Sequence, residues 1–439
     1  MTTASAKQIA SSSVLLLAEN LIRLLAVAAV SFWIARQLGP GQFGILNFAS
    51  AFAAILLAVS TLGMDTPVIL RLTQTQQSRP IMAAVLALRA IVSVIVFIAA
   101  VLIALVLKHD DSVAFNTTVI VSLGIILNTP AVFDYWFKAN TNAAPAALAR
   151  ISGTLLSAAA KVLCLYLGLG VEALAWTVAF EAAVTSIVFT LVYFKNIENN
   201  KQQGNFTAKK KAMAKLMLES WPYLLSMTAV VAYMKIDVVI LGYLSTNTET
   251  GIYSLSQKLS EVLYMIPVVL IDSLYPTLTK KYLSTNNIHK NQGQMLFDVA
   301  VGASIIATLI SIALSGIFIK IIFGNGYQKS IDVFYVHSWS CIAIAMNTAR
   351  HRWLATLQLQ RYIPIVTTIG LVSNIVCNLF LIPEYGAIGA AYATLISYFI
   401  SGYACSFVFP SLKSVGWEQT RALFPWIRLY RLYKGTGRI

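Results

Sequence analysis

The sequence contains few charged residues and few of the residues that bind metals. Only 11% of its 439 residues are Asp, Glu, Lys or Arg, and it has four histidines and four cysteines. All four cysteines lie within apolar stretches, so we predict neither a disulfide framework nor a metal site. A phosphate-binding glycine loop and a His-Glu-x-x-His motif are both absent, which argues against ATP- or zinc-dependent enzyme chemistry. We predict no cofactor.

Apolar residues are unusually abundant in the sequence. They make up 58% of the chain without counting glycine, whereas soluble proteins reach about 45–50% with glycine included. A transmembrane helix takes about 20 such residues. We therefore predict an all-α integral membrane protein with twelve transmembrane helices. The predicted segments are 13–35, 43–66, 81–107, 113–137, 144–167, 171–194, 218–243, 250–276, 295–323, 331–357, 362–382 and 388–410.

The distribution of Lys and Arg predicts the orientation of these segments. Placing both termini in the cytoplasm puts 20 Lys and Arg on the cytoplasmic side and three in the opposite loops. Cytoplasmic loops normally carry this excess, so most of the net charge of +15 reflects topology. The opposite loops are very short. That disfavours a membrane polysaccharide polymerase or ligase, which needs a large external loop.

A basic, polar segment divides the predicted helices into six and six, and turn motifs recur at similar offsets in the two halves. Gly44 corresponds to Gly251, and Gly170 corresponds to Gly386. An even number of helices in each half gives a parallel repeat about a pseudo-two-fold axis, which is a transporter architecture. The predicted domains are an N-terminal lobe 1–200, a cytoplasmic linker 201–217, a C-terminal lobe 218–410 and a basic cytoplasmic tail 411–439.

Several cations lie inside the predicted helices, where each costs about 2.5–3.5 kcal/mol at the helix centre. They must therefore face a wet interior, pair with a carboxylate or extend to the interface. We interpret Arg350, His351 and Arg352 as interface anchors. A cation-rich interior favours an anionic substrate, whereas the alternative of a drug/cation antiporter requires a more acidic cavity. The nine cations are Arg23, Arg89, Arg150, Lys161, Lys235, Lys258, Lys320, Arg350 and Arg352.

Position along the helix separates these cations. Arg23 lies about 15 Å into the first segment, near the membrane midplane. Glu19 is on the same helix face, so the two form either a structural pair or a ligand site in which Glu19 orients Arg23. Arg150 and Lys161 lie on one stripe of the fifth segment, which is typical of a substrate path. For Lys161 and Arg89, extension to the interface is an equal alternative.

Carboxylates inside the predicted helices are candidates for proton coupling. Glu181 has no nearby cation in the sequence, and an unpaired carboxylate in a membrane favours its neutral form. Asp237 and Glu261 are further candidates, each close in sequence to a lysine. We interpret His337 as a hydrogen-bonded helix residue.

Four blocks of sequence are characteristic of one family. The first runs from Glu19-Asn20-Leu21-Ile22-Arg23 through Trp33-Ile34-Ala35-Arg36-Gln37-Leu38-Gly39-Pro40 to Phe43-Gly44-Ile45-Leu46, Leu62-Gly63-Met64-Asp65 and Leu70-Arg71. The others are Gly251-Ile252-Tyr253-Ser254, Phe323-Gly324 with Tyr327, and Gly386-Ala387-Ile388-Gly389-Ala390-Ala391. On these blocks the chain resembles the Wzx-type O-antigen and polysaccharide repeat-unit flippases of the multidrug/oligosaccharidyl-lipid/polysaccharide superfamily.

The resemblance implies a transporter rather than an enzyme. It implies movement of an undecaprenyl-diphosphate-linked oligosaccharide from the cytoplasmic to the periplasmic leaflet of the bacterial inner membrane. It also implies a pathway polymerase and glycosyltransferases as neighbours, a monomeric transport unit within membrane lipid, and no nucleic acid. The family positions that carry over are Glu19, Arg23, Arg36, Gly39, Pro40 and Gly44.

We therefore expect one group of side chains to bind the diphosphate and sugars and another to orient them or couple protons. The expected binding residues are Arg23, Arg89, Arg150, Lys161 and Lys235. The expected orienting or proton-coupling residues are Glu19, Glu181, Asp237 and Glu261.

Overall fold

The computed structural model of this chain describes most of its backbone and side chains. The described backbone comprises residues 3–75, 78–141, 143–199, 207, 210–284 and 291–424. The described side chains are those of 27–75, 78–141, 144–196, 207, 213–284 and 292–424. Within these ranges every regular element is helical and no strand occurs. The prediction of an all-α protein is confirmed.

The chain forms two compact units, Met1–Tyr243 and Leu244–Ile439. The α-helices of the first unit are α1 Thr3–Ser60, α2 Asp65–Gln74, α3 Ser78–Leu107, α4 Ser112–Leu127, α5 Phe133–Ala139, α6 Ala143–Tyr166, α7 Val171–Asn199 and α8 Lys210–Leu244. The predicted end of the N-terminal lobe at residue 200 and start of the C-terminal lobe at residue 218 stay predictions.

The second unit contains the remaining helices. They are α9 Asn247–Ser284, α10 Asn291–Phe323, α11 Lys329–Ser338, α12 Ser340–Thr356, α13 Tyr362–Phe399, α14 Cys405–Val408 and α15 Lys413–Leu423. A π-helical turn, Ile400–Ala404, joins α13 to α14. Residues 411–423 of the predicted tail therefore include a helix, α15, whose inner face is buried against the rest of this unit.

Eight of the described helices are long and apolar enough to cross a membrane, and nine if the bent pair of α4 and α5 is one span. The predicted number of twelve is not confirmed by this count. Two helices, α1 and α13, each hold two predicted segments joined across a kink, at Gly39 and Gly386. Both glycines have positive φ, which L side chains rarely adopt. The tenth predicted segment is divided between α11 and α12.

Aromatic side chains hold the short helix α5 inside the first unit. Phe133 stacks on Tyr193 of α7 at 4.2 Å between ring centroids, and Trp136 meets the same ring edge-on at 5.5 Å. All three side chains are buried in an apolar core shared by α2, α3, α5, α6 and α7. Such packing fixes α5 although seven residues are too few for a stable isolated helix.

Helix α8 is attached to the first unit at both of its ends. Arg71 of α2 pairs with Glu219 at 2.6 Å. At the other end, the Lys108 ammonium donates to the Gly242 carbonyl at 2.5 Å and lies 4.5 Å from the Phe48 ring centroid. Lys108 follows α3 directly, and its burial lowers the pKa of this ammonium.

Candidate functional site

The bend between α4 and α5 positions the most distinctive polar residues of the first unit. The two helices meet at 42°, joined by a 3₁₀ turn over Thr129–Val132. Pro130 lies in this turn, and because proline has no backbone N–H it cannot continue the α-helical hydrogen-bond ladder. Asn128 caps α4 at the break. The bend therefore coincides with Pro130.

Arg89 of α3 is bound to this break. Its side chain is 3% exposed, and its Nη2 donates to Asn128 Oδ1 at 2.9 Å. Tyr135 also interacts with the guanidinium. The Arg89 Nε has no hydrogen-bond partner, and no carboxylate lies within 4 Å of the guanidinium among the described side chains. Arg89 is thus a buried cation whose direct contacts are neutral groups, and the carboxylate of Asp65 acts on it from beyond 4 Å.

Arg150, in contrast, belongs to an ion-pair chain. Its Nη1 donates to Asp134 of α5 at 2.9 Å, and Asp134 also pairs with Lys138 at 3.1 Å. Lys138 in turn lies 3.3 Å from Asp65 of α2. Two cations and two carboxylates alternate here, so the charges largely compensate one another. Neither aspartate is among the site residues predicted from the sequence. The signal for Asp134 was its spacing of four residues from Lys138, which places the two on one helix face.

Lys161 and Glu181 were predicted for separate roles, but they form a pair. The Lys161 ammonium lies 3.2 Å from Glu181 Oε2, and Thr154 donates to the other carboxylate oxygen at 3.2 Å. The interpretation of Glu181 as an unpaired carboxylate is wrong. The cause is the packing of α6 against α7, which brings together residues 20 positions apart. Ser157, between Arg150 and Lys161 on the predicted stripe, is buried and donates to the Thr177 carbonyl at 3.0 Å.

The other predicted site residues occupy different parts of the chain. Lys235 and Asp237 lie on α8 in the first unit, and Asp237 is 2% exposed. Glu261 is half-buried on α9 in the second unit. Glu19 and Arg23 lie outside the residues whose side chains the structure describes. Their predicted roles, like those of the other site residues, stay predictions.

The interface-anchor interpretation of Arg350 is wrong. Its side chain is 0% exposed and donates to Asn347 Oδ1 at 2.7 Å and to Ser406 Oγ at 3.2 Å. The neighbouring Arg352 is exposed and pairs with Asp272 at 2.8 Å. Two positions of one helix differ in this way because they face opposite sides of it. His337 is buried and bonded to the Tyr264 hydroxyl at 2.9 Å, as the sequence predicts.

The cations of the first unit therefore differ in how readily each could bind an anionic ligand. Arg150 and Lys161 already have carboxylate partners, and an incoming anion would have to compete with them. Arg89 has only an amide and a phenol, which an anion with several acceptor oxygens can replace favourably, since charge-assisted hydrogen bonds are the stronger ones. In this conformation the Arg89 side chain is buried. No cluster of three or more potential metal ligands occurs among the described residues.

Comparison with a family of known sequences fits this picture of a helical membrane protein. The family described as polysaccharide biosynthesis protein matches residues 9–281, well over half of the chain. The chain belongs to this family. A protein of similar sequence is the probable flippase AglR of Haloferax volcanii, 28% identical over 252 residues. That match covers 55% of this chain, and the chain spans about half the length of AglR.

Solved structures show the fold of this member of the polysaccharide biosynthesis family. The lipid II flippase MurJ, in an inward closed conformation, matches 97% of this chain and 94% of its own with a TM-score of 0.72 at 15% identity. An inward-facing multidrug resistance MATE transporter of the MOP superfamily matches 91% and 94% with a TM-score of 0.62 at 13% identity. The protein is a multi-pass membrane protein with the fold of MurJ and of the MATE transporter.

Proposed function

We propose that this protein is a flippase for a lipid-linked saccharide that carries phosphate. The substrate class we infer is an undecaprenyl-diphosphate-linked oligosaccharide, such as an O-antigen repeat unit, moved from the cytoplasmic to the periplasmic leaflet of a bacterial inner membrane. The family, the similarity to a probable flippase and the fold shared with MurJ support transport of this kind. The pathway polymerase and glycosyltransferases and the monomeric state belong to the same proposal.

One observation carries the choice of an anionic headgroup. Arg89 is a fully enclosed guanidinium without a carboxylate within 4 Å in the described part of the chain. A buried charge that lacks an opposite charge is costly, and a diphosphate entering the site would supply that charge. The planar fork of arginine matches two phosphate oxygens at once. The resting protein thus keeps a cation at high free energy until the substrate binds.

The position of Arg89 suggests how binding is coupled to movement. Its described hydrogen-bond acceptor is Asn128, the residue at which α4 ends and the chain bends by 42°. A phosphate that takes over the guanidinium releases the Asn128 side chain. The break then loses a contact that holds its angle, and α5 is free to reorient. In this scheme the substrate itself drives the change between inward- and outward-open states, which is the requirement for alternating access.

The other expected residues complete the proposal. We propose that Arg23 and Lys235 contact the same headgroup and that Glu19 and Asp237 orient it or exchange protons. Glu261, in the second unit, is a further candidate for proton coupling. Protonation of Glu181 would release Lys161 from their ion pair and make a second cation available. Arg150 would join once its contact with Asp134 opens.

The membrane arrangement is also part of the proposal. We propose twelve crossing segments in two six-helix lobes related by a parallel pseudo-two-fold, with both termini in the cytoplasm. The breaks at Gly39 and Gly386 support the number, because each divides a long helix at a predicted loop. The bend at Pro130 lies inside one predicted crossing.

The test is transport in vesicles that contain the purified protein and a labelled undecaprenyl-diphosphate sugar. We expect Arg89→Gln to lower the initial flipping rate at least about tenfold, since one charge-assisted contact is worth about 1.5–3 kcal/mol. Arg352→Gln is the matched control, because it removes an arginine that is exposed and ion-paired. A normal rate for folded Arg89→Gln protein would refute the role of Arg89.

A second variant separates loss of folding from loss of binding. Asn128→Asp keeps the shape of the hydrogen-bonded side chain and places a carboxylate 2.9 Å from the guanidinium. We expect this protein to be at least as stable as wild type but to transport poorly, because the cation is then neutralised. A stable Asn128→Asp protein with full activity would show that the open charge of Arg89 is not used.

A further inference from the structure

The second unit contains a half-buried glutamate that the proposed transport mechanism does not use, and one of its carboxylate oxygens is fully buried. Glu418 lies on α15, a helix whose residues Val415, Gln419 and Ala422 are buried against the unit. Gln419 fixes the helix: its Nε2 donates to the Gly402 carbonyl at 2.8 Å, and its Oε1 accepts from Ser406 at 2.7 Å. Helix α15 is therefore docked, and Glu418 lies between it and its neighbours.

The surroundings of the Glu418 carboxylate are closely packed. A Cβ placed on Gly293 of α10 would lie 2.6 Å from Glu418 Oε2 and 2.5 Å from Trp353 Nε1, so the glycine makes room for both groups. Gln294, the next residue on α10, is 6% exposed. Its Nε2 donates to Asp298 Oδ1 at 2.7 Å and to the Glu418 carbonyl at 3.0 Å. Three helices, α10, α12 and α15, thus enclose one small polar cluster.

This cluster has an excess of hydrogen-bond acceptors. Glu418 Oε2 and Gln294 Oε1 are both buried and have no hydrogen-bond partner. The amide nitrogen of Gln294 already donates to two oxygens. A buried acceptor without a donor destabilises the docked state, and more so when it belongs to a charged carboxylate. Protonation of the Glu418 carboxylate removes its charge and supplies a hydrogen-bond donor to the cluster.

Few charges act on Glu418 from the elements packed around it. Arg421 lies on its own helix and Asp298 lies on α10, and these have opposite effects on the carboxylate. The α12 residue at this point is Trp353, which is neutral. Burial is the largest influence, and with the smaller effect of Asp298 it raises the pKa of Glu418 to about 7 against the lowering effect of Arg421.

We propose that the Glu418 carboxyl is a proton-binding site that controls how firmly α15 docks on α10 and α12. Under this proposal α15 is tightly docked when Glu418 is neutral and loosened when it is charged. The site lies beyond the last apolar helix, which ends at Val408, on the side where the topology prediction places the cytoplasm. It therefore responds to cytoplasmic pH, and it is independent of the proposed flippase activity.

The direction of the effect follows from linkage. A carboxyl whose pKa is higher in the docked than in the undocked state binds its proton more tightly when docked. Docking is thus most favourable below about pH 4.5, the ordinary value, weakens as the pH rises towards about 7 and stays weak above it. The two values correspond to a change in the docking equilibrium on the order of 100-fold.

The experiment is hydrogen–deuterium exchange of the full-length protein in nanodiscs, comparing wild type with Glu418→Gln at equal pH. At pH 8 we expect the α15 amides of wild type to exchange 10- to 100-fold faster than those of the variant. At pH 4, below the ordinary pKa of the carboxyl, we expect the two proteins to exchange alike. Equal rates at pH 8, or the same difference at both pH values, would overturn the proposal. Glu384→Gln, which changes an exposed glutamate of the same unit, is the matched control and should behave as wild type.

A second variant guards against a folding defect in Glu418→Gln. Asp298→Asn removes the like charge from α10, and we expect it to move the midpoint of the wild-type transition to lower pH while leaving the transition itself in place. An unchanged midpoint would contradict the proposed cluster. Each titration is repeated with sodium replaced by a large organic cation. A midpoint that follows the sodium concentration would identify a metal-cation site and overturn the assignment of a proton site.

Discussion

Two buried arginines, one in each unit, show how similar surroundings can serve different purposes. Arg89 donates to the amide oxygen of Asn128 at 2.9 Å, and Arg350 donates to the amide oxygen of Asn347 at 2.7 Å. Asn347 lies three residues from Arg350 on the same helix, so this bond braces a regular element. Asn128 lies 39 residues from Arg89, at a break between two helices. Burial alone therefore does not mark a functional cation, and we propose that the position of its partner, inside one helix or at a break between two, distinguishes them.

The network around Arg350 strengthens the contrast. Ser406 accepts from Arg350 and donates to Gln419, which bonds to the Gly402 carbonyl. The arginine thereby links α12 to the π-helical turn and to α15. In the first unit Arg89 donates instead to Asn128, at the break between α4 and α5. We interpret Arg350 as structural and Arg89 as the residue that meets a ligand.

The sharpest test of this comparison is to remove both arginines in turn. We expect Arg350→Gln to lower the stability of the protein by about 3 kcal/mol or more, because it leaves several buried polar groups without their partner. Its flipping rate per folded molecule should stay close to wild type. Arg89→Gln should show the reverse, with a lost rate and a smaller change in stability. Thermal unfolding and vesicle transport, normalised to folded protein, measure the two effects. Equal losses of rate in both variants would break the comparison.

The Lys161–Glu181 pair gives an intermediate effect, since it is partly exposed in the structure. We expect Lys161→Met or Glu181→Gln alone to cost about 1–2 kcal/mol, because each leaves one charge without its partner. The double variant should cost less than the sum of the two. A double-mutant cycle of unfolding free energies measures the coupling. Strictly additive losses would show that the pair makes no net contribution. In that case the carboxylate partner of Lys161 would not distinguish this lysine from Arg89, as we infer it does.

Arg352→Gln should have the smallest effect. Its pair with Asp272 is exposed on both sides, and such pairs contribute about 0–1 kcal/mol. We expect no more than about 1 kcal/mol of destabilisation in the same unfolding experiment, two residues away from the large effect at Arg350. A loss comparable to that of Arg350→Gln would mean that position on the helix, and not burial, determines the cost.

Some features of the site followed from the sequence and others did not. The spacing of apolar segments predicted helices that the structure contains. Depth within a helix identified Arg89 as a residue of interest. It did not reveal that Glu181 meets Lys161 or that Arg150 meets Asp134, because these contacts join different helices. A count of apolar segments also did not show that α1 and α13 run through their predicted loops as kinked helices.

The amino-acid sequence by itself determined that this chain is a helical membrane protein with an excess of basic residues. Hydropathy and helical periodicity are properties of neighbouring residues, and the membrane acts on them segment by segment. Only the tertiary structure decided which cations are neutralised, because ion pairing depends on groups from separate helices meeting within about 4 Å. That is why Arg89, without such a partner, stands out from Arg150 and Lys161 only once the helices are packed.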